Sequence, residues 1–206
     1  GKSAKLNKKQ AEELKKDFEK LAKYFRKKLK AVLTDGSQPI GNGIGPVLEL
    51  IDVLDILNPR RKGPRDLEEK SIFLSAELLE MTGKAKKGKG EELARRILDS
   101  GKAFEKFKQI IRAQKRKGSV KLVPAKFHKD IHAKKSGKIK EIDNKKMNHL
   151  ARITGCPLDK ASGIYLYHHV KDKVKKGEPL LTIYSENRSR LNQAISYFYK
   201  EKPFRM

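Results

Sequence analysis

Two pairs of histidines are among the residues of this sequence whose type and spacing could serve chemistry. His128 and His132 are four residues apart, a spacing that on a helix brings two imidazoles to one face for a metal ion. Only Asp130 accompanies them as a further ligand, and the surrounding segment has the pattern of irregular or extended chain. His168 and His169 are adjacent on a predicted strand and would point to opposite faces. These patterns argue against a metal site built from histidines.

Covalent catalysis has no candidate nucleophile in this sequence. The single cysteine, Cys156, precedes Pro157, has no evident activating partner, and is predicted to be a small buried thiol. We find no Walker phosphate-binding loop, no nucleophile elbow and no Ser/His/Asp set. One cysteine also excludes a disulfide scaffold and a cysteine-rich zinc module.

Residues 35–46, the glycine-rich loop, have the composition of an ordered ligand-binding segment. Four glycines and two prolines in twelve residues indicate unusual backbone dihedral angles rather than a linker. We interpret residues 31–34 as a short buried strand before the loop, and residues 46–58 as an apolar helix after it. This order of elements is how α/β sheets present ligand sites.

The elements around the loop need partners. The other strand candidates lie beyond residue 118, so the strand carrying Val32 pairs with those, or its sheet neighbours are missing from this chain. The helix is apolar nearly all round and is predicted to be deeply buried. Its carboxylates, Glu49, Asp52 and Asp55, must therefore find a cation, a hydrogen-bond donor or solvent.

Helical periodicity organises the rest of the first half. The spacing of Leu14, Phe18, Leu21 and Phe25 predicts a helix over residues 8–29. A second helix opens at Gly63-Pro64 and ends at Gly83, with Leu67, Leu74, Leu78 and Met81 facing inward. Two shorter helices cover residues 91–100 and 103–114, the latter with Phe104, Phe107 and Ile111 inward. Residues 115–118 are the predicted boundary between domains 1–116 and 117–206.

The second half alternates strands and helices. Strands are predicted within residues 136–142, 163–170 and 180–184. Asp143 or Asn144 caps a helix that runs to Thr154, and Ser185 caps a final helix. That last helix should bury Leu191, Ala194, Ile195 and Phe198. The pattern resembles biotinyl and lipoyl half-barrels, but a helix with Lys145-Lys146-Met147 replaces the carrier hairpin, so we interpret the barrel as structural.

Positive charge is concentrated in two segments. Residues 1–30 hold 12 Lys and Arg against 4 acids, and residues 112–140 hold 11 against 1, within a net charge of +25. Such asymmetry attracts polyanions and phosphorylated small molecules alike. The lysines also fall where helical faces are exposed anyway, which favours ordinary solvated surfaces. No apolar stretch is long enough to span a bilayer, so we predict a cytoplasmic protein without a membrane partner.

The loop carries a family resemblance. Thr34-Asp35-Gly36-Ser37-Gln38-Pro39-Ile40-Gly41 resembles the Thr-Asp-Met-x-Gln-Pro-Leu-Gly segment of the thymidine and pyrimidine-nucleoside phosphorylases. Further matches follow in order over nearly the whole chain, at Gly45–Glu49, Gly63–Leu67, Ser100–Ala103 and in the C-terminal barrel. Ser3-Ala4-Lys5, Pro46 and residues 185–194 are similar to the archaeal AMP phosphorylase branch.

The resemblance implies a fold and a reaction. The fold class would be α/β (α+β), a partial α/β domain with several helices followed by a C-terminal α/β-hammerhead or barrel-sandwich hybrid domain. The reaction would be phosphorolysis of a nucleoside or nucleoside 5′-monophosphate, with inorganic phosphate as co-substrate and no organic cofactor. The family's Lys-x-Ser/Thr-x-Gly-Gly loop and its base-binding residues are not in this sequence. The chain thus looks like the C-terminal part of an enzyme that works as a homodimer or larger homo-oligomer, and we expect it to be inactive alone.

The resemblance also implies a cation site. Bacterial relatives bind a monovalent cation, K+, through two loop carbonyls and a glutamate. The matching positions are the carbonyls of Ile40 and Gly43 and the carboxylate of Asp52. Asp is one methylene shorter than Glu, so the alternative is that Asp52 hydrogen-bonds a neighbouring loop.

A different class of function remains open from the charge alone. A basic nucleic-acid-binding domain could use the lysine-rich helix 8–29 and residues 112–140. These segments lack the interleaved arginine and aromatic residues of single-strand binders. The ordered series of motifs therefore favours the enzyme.

Overall fold

The computed structural model describes residues 6–114 and 122–206. Within these ranges the helices are α1 (Lys8–Tyr24), α2 (Pro46–Leu57), α3 (Arg65–Met81), α4 (Gly90–Asp99), α5 (Lys102–Ala113), α6 (Asn144–Ile153) and α7 (Arg188–Glu201). The strands are β1 (Gly43–Ile44), β2 (Phe127–His132), β3 (Gly137–Lys138), β4 (Glu141–Ile142), β5 (Gly163–Leu166), β6 (Lys173–Val174), β7 (Pro179–Ser185) and β8 (Phe204–Arg205). The predicted α+β class is confirmed. The predicted boundary between domains 1–116 and 117–206 lies outside the described residues.

The main sheet joins the two halves of the chain. Its strand order is β1-β5-β7-β2, all neighbours being antiparallel. The edge strand β1 comes from the glycine-rich loop and pairs with β5 through Gly43 opposite Tyr165 and Ile44 opposite Ile164. Two-stranded pairs, β3 with β6 and β4 with β8, complete the strands of the described residues. The loop is therefore part of the C-terminal sheet.

The hydrophobic core lies in the C-terminal half. One face of the sheet buries Ile164, Leu166, Leu181 and Ile183 against α6 and α7. The predicted core positions of α7 are confirmed for Leu191, Ala194 and Phe198, while Ile195 lies half-buried at the margin.

The predicted strand at residues 31–34 is wrong. These residues have no regular secondary structure, Val32 is half-buried, and Leu33 is exposed. A strand is stable only when a neighbour takes up its backbone hydrogen bonds, and none of the described strands pairs with this segment. The preceding helix, α1, also stops at Tyr24 rather than at residue 29, because Arg26 adopts a left-handed φ of +52°.

Burial differs from the prediction in the helices around the loop. In α2 only Leu48 and Asp52 are buried, although the sequence predicted a deeply buried helix. In α3 the buried residues are Ile72 and Ala76, whereas Leu74 and Leu78 of the predicted face are exposed. Residues without bulky side chains allow α4 to cover this face of α3, since the backbone of Gly90 at the start of α4 packs closely on Ala76. An apolar cavity of about 440 Å³ remains between α2, α3, α4 and α5.

Helix caps are set by side-chain oxygens. Asp143 caps α6 by accepting hydrogen bonds from the N–H groups of Lys145 and Lys146. The cap of α7 is Asn187, which accepts from the Arg190 N–H at 3.1 Å, and not the predicted Ser185. Ser185 instead donates its hydroxyl to the Thr154 carbonyl at 2.8 Å, because it ends strand β7 two residues before the helix cap.

Two strands differ from the prediction. Residues 127–132, predicted to be irregular or extended, form strand β2, and the predicted strand at 163–170 ends at Leu166.

Within the described part of the chain, no helix has the length and hydropathy needed to cross a membrane.

Candidate functional site

The glycine-rich loop opens with a local turn. Asp35 accepts hydrogen bonds from the backbone N–H of Ser37 at 2.9 Å and from its hydroxyl at 3.0 Å. These bonds lower the pKa of the Asp35 carboxyl, because they stabilise its charged form. The start of the loop is thus fixed by its own side chains.

Two carboxylates hold three successive loop amides. Asp52 Oδ2 accepts the N–H groups of Asn42 and Gly43, both at 2.7 Å. Asp66 Oδ2 accepts the N–H of Gly41 at 3.1 Å. Asp52 is only 3% exposed, and this burial raises the pKa of its carboxyl, while the two backbone hydrogen bonds oppose the rise. The loop backbone is therefore clamped from the α2 and α3 side.

The carboxylates of α2 all find partners, as the sequence predicted. Besides Asp52, Glu49 accepts the N–H of Gly45 at 3.0 Å, at the N-terminus of the helix. Asp55 pairs with Arg61 at 2.9 Å. Asp66 was not recognised as a loop partner from the sequence, although it lies within the Gly63–Leu67 motif, which is the signal that could have found it.

The C-terminal half holds the loop from the opposite side. The Val170 N–H donates to Gln38 Oε1 at 2.7 Å, and Asn144 Nδ2 donates to the Gly36 carbonyl at 2.8 Å. At Gly45 the φ angle is +130°, and a Cβ there would lie 2.6 Å from the Ser162 carbonyl oxygen. Only glycine suits this position, because the backbones meet too closely for a side chain.

Two of the predicted cation ligands meet in a different way from that expected. Gly43 approaches Asp52 through its N–H rather than its carbonyl. Hydrogen bonding to the loop, the alternative considered for Asp52, is what the structure shows. A trans peptide directs its carbonyl away from its N–H, so the Ile40 carbonyl points away from Asp66. Since Asp52 uses Oδ2 for both amides, Oδ1 is the oxygen that a cation would use, and the site at Ile40, Gly43 and Asp52 stays a prediction.

The other candidates from the sequence form no catalytic cluster. His128 and His132 lie exposed on β2, and the described residues contain no group of three or more His, Cys, Asp or Glu side chains that could hold a metal ion. His168 and His169 follow β5 rather than lying on it. Cys156 is half-buried, and burial raises the pKa of its thiol, which disfavours the nucleophilic thiolate.

Comparison with known proteins finds relatives of this chain. Residues 138–204 match the pyrimidine nucleoside phosphorylase C-terminal domain. The AMP phosphorylases of Pyrococcus abyssi and Pyrococcus furiosus are 41% and 40% identical over 210 residues, which cover 100% of this chain and 42% of each relative. A Legionella pneumophila (strain Corby) protein named "Putative thymidine phosphorylase" is 42% identical over 181 residues, covering 88% of this chain and 35% of that protein.

The shared region is therefore less than half of these curated relatives. It includes the glycine-rich loop with its two carboxylates and the sheet to which β1 is added. Residues 138–204 thus carry a pyrimidine nucleoside phosphorylase C-terminal domain, and nearly the whole chain is similar to part of the thymidine and AMP phosphorylases.

Proposed function

We propose that the protein containing this chain is a pentosyltransferase that phosphorolyses a nucleoside or nucleoside 5′-monophosphate. An oxygen of inorganic phosphate bonds to the anomeric carbon, and the glycosidic C–N bond breaks. The base leaves with the bonding electrons and takes up a proton. Ribose or deoxyribose 1-phosphate, or ribose 1,5-bisphosphate from a monophosphate, is released. The observation that carries this proposal is the ordered similarity of nearly the whole chain to AMP phosphorylases.

The role of this chain in that reaction is positional. Asp52 and Asp66 orient the amides of residues 41–43, and the C-terminal sheet holds the same loop from the other side. Such a loop can fix reacting groups at little further entropic cost. The Lys-x-Ser/Thr-x-Gly-Gly loop and the base-binding residues of the phosphorylases are not in this sequence, so we propose that groups elsewhere in the enzyme hold phosphate and base. We expect no organic cofactor.

The activity is tested with the intact protein. We expect release of free base from AMP, thymidine or uridine only when inorganic phosphate is present, measured by chromatography of the base and the sugar phosphate. The 206-residue chain alone should release none. Base release without phosphate, or none from any of the three substrates by the intact protein, would contradict the proposal. Size-exclusion chromatography with light scattering tests the homodimer or larger homo-oligomer that we also propose.

A monovalent cation at Ile40, Gly43 and Asp52 belongs to the same proposal. We expect the rate of phosphorolysis to depend on K+ in the wild type and to lose that dependence in Asp52→Asn. Asp55→Asn is the matched control, because Asp55 lies one helical turn away and pairs with Arg61. The measurement is initial rate against K+ concentration with a Tris salt as replacement. A wild-type rate indifferent to K+ would remove the cation from this site.

A nucleic-acid-binding function is less well supported. Its basis is the net charge of +25, while the named relatives are phosphorylases. The same basic surface would attract phosphorylated substrates. The cytoplasmic location also stays a proposal, tested by fractionation of the source cells.

A further inference from the structure

Asn42 uses all four of its polar groups in hydrogen bonds. Its backbone N–H donates to Asp52 at 2.7 Å, and its carbonyl accepts from the Leu166 N–H at 2.8 Å. Its side-chain Nδ2 donates to the Tyr165 hydroxyl at 3.2 Å, and its Oδ1 lies 3.1 Å from His169 Nε2. One loop residue thus connects α2 with three residues of the C-terminal half.

The direction of each side-chain bond follows from the chemistry of the groups. In the amide orientation of the structure, Nδ2 faces the Tyr165 hydroxyl and Oδ1 faces His169, so Oδ1 is the acceptor for His169. His169 must then carry its ring proton on Nε2 to donate that bond. Its other nitrogen, Nδ1, is buried and has no hydrogen-bond partner among the described residues, so in this amide orientation a proton on Nδ1 alone would leave both nitrogens unsatisfied. Turning the amide over would exchange its donor and acceptor roles and move the ring proton to Nδ1, so the Asn42 side chain bridges Tyr165 and His169 in either orientation.

Asn42 has the only side chain within residues 41–43. Gly41 and Gly43 flank it, and Gly41 has a φ of +72°. Glycines allow many backbone conformations, so the flanking residues do little by themselves to select one. Asn42 carries the side chain at the centre of this segment, and its two side-chain bonds reach Tyr165 and His169.

We propose that Asn42 is a positioning residue, through which Tyr165 and His169 of the C-terminal domain set the backbone of the glycine-rich loop for the reaction. This inference rests on the proposed phosphorolysis in one respect only, namely that a change in loop geometry changes the rate of that reaction. The C-terminal domain would then act on the loop directly, in addition to contributing a folded scaffold.

Hydrogen exchange measured by mass spectrometry on the intact protein tests the coupling without catalysis. We expect peptides covering residues 36–45 to exchange about fivefold faster in Asn42→Ala, Tyr165→Phe and His169→Ala, the factor given by one net hydrogen bond. The matched controls are Asn148→Ala, Tyr199→Phe and His149→Ala, which remove the same groups from exposed positions outside the loop. Tyr165→Phe keeps the ring and should fold even if the other variants do not. Loop exchange equal to that of the controls would overturn the proposal.

Kinetics then separate positioning from mere stability. Per folded protein, kcat for phosphorolysis should fall about tenfold in His169→Ala with KM changed much less, and His169→Gln should recover most of it, because glutamine retains an N–H donor. Equal loss in both His169 variants, or no loss in either, would overturn the positioning role. If the wild type releases no base, the proposed function fails, while the exchange experiment still decides whether Asn42 couples the loop to the sheet.

Discussion

Burial, charge and hydrogen bonding oppose one another at Asp52. Burial raises the pKa of this carboxyl above its ordinary value of 3.8, and the negative charges of Asp55 and Asp66 raise it further. The N–H groups of Gly43 and Asn42 lower it. A carboxyl group is needed here because two loop amides require an oxygen acceptor, and an unpaired buried amide is costly.

The pH dependence of stability follows from that balance. Since the folded state binds the Asp52 proton more tightly than the unfolded chain does, ionisation of Asp52 lowers the free energy of unfolding as pH rises above 3.8. Asp52→Asn removes the titration and keeps an oxygen for the two amides. We expect the stability of the wild type relative to Asp52→Asn to fall as pH rises above 3.8, measured by urea unfolding. Asp99→Asn, at an exposed carboxylate, serves as control. A difference that does not change with pH would show that Asp52 titrates normally.

At the scale of elements, the loop and β1 depend on close backbone contact. Gly45 combines a φ of +130° with a Ser162 carbonyl oxygen 2.6 Å from where a Cβ would lie. Gly88 also has a positive φ, +76°, but nothing lies within 4 Å of its Cβ position. The two glycines therefore differ in crowding and also in backbone conformation, since φ +130° with ψ 152° at Gly45 is adopted almost only by glycine.

Alanine substitutions measure this difference. Gly88→Ala should cost about 1 kcal/mol in free energy of unfolding, from the left-handed backbone alone. Gly45→Ala should cost about 3 kcal/mol or more, because alanine must also displace the strand pairing between β1 and β5. Chemical denaturation of both variants checks the values, with far-UV circular dichroism of the native state as a test of folding. Equal losses would mean that neither the Ser162 contact nor the more restricted backbone of Gly45 adds to the cost.

Helix α1 shows how local signals act without tertiary support. Asn7 and Gln10 form a capping box, each side chain accepting the other's backbone N–H at 2.9 and 3.1 Å. The apolar stripe of the helix stays exposed, with Phe18 at 51% and Phe25, just beyond the helix, at 60%. Periodicity and capping thus identify the helix, whereas burial of its apolar stripe does not follow from the local pattern.

At the scale of the whole molecule, Leu48 connects the two halves. It is 2% exposed on α2, and its side chain lies against Gly163 at the start of β5. Together with the β1–β5 pairing, this contact places a helix of the first half on the C-terminal sheet. We therefore expect the halves to unfold together.

Leu48→Ala tests that cooperativity. The substitution should lower the free energy of unfolding by about 3 kcal/mol, as is usual when a buried leucine leaves a cavity. Five of the six tyrosines lie between residues 165 and 199 and tryptophan is absent, so tyrosine fluorescence reports mainly on the C-terminal half. Its transition should coincide with the loss of helical circular dichroism in both proteins. Leu158→Ala, at an 84% exposed leucine, is the control and should change little. Separate transitions would show that the halves fold independently.

The sequence determined the local elements and the similarity to known proteins. Helices α2, α3 and α6 lie where periodicity, Pro46, Gly83 and Asp143 predicted, because caps and stripes depend on residues within a few positions of one another. The motifs around the loop indicated the similarity to phosphorylases, because each motif also consists of residues close together in the chain.

Only the tertiary structure decided how the loop is held. The pairing of β1 with β5, the bond from Gly41 to Asp66 and the four bonds of Asn42 join residues that are distant in the chain. Residues 31–34 have strand composition but take no part in a described sheet, because pairing requires a neighbour that composition does not specify. Local patterns set which segments become helical, and non-local hydrogen bonds and packing set the geometry of the loop.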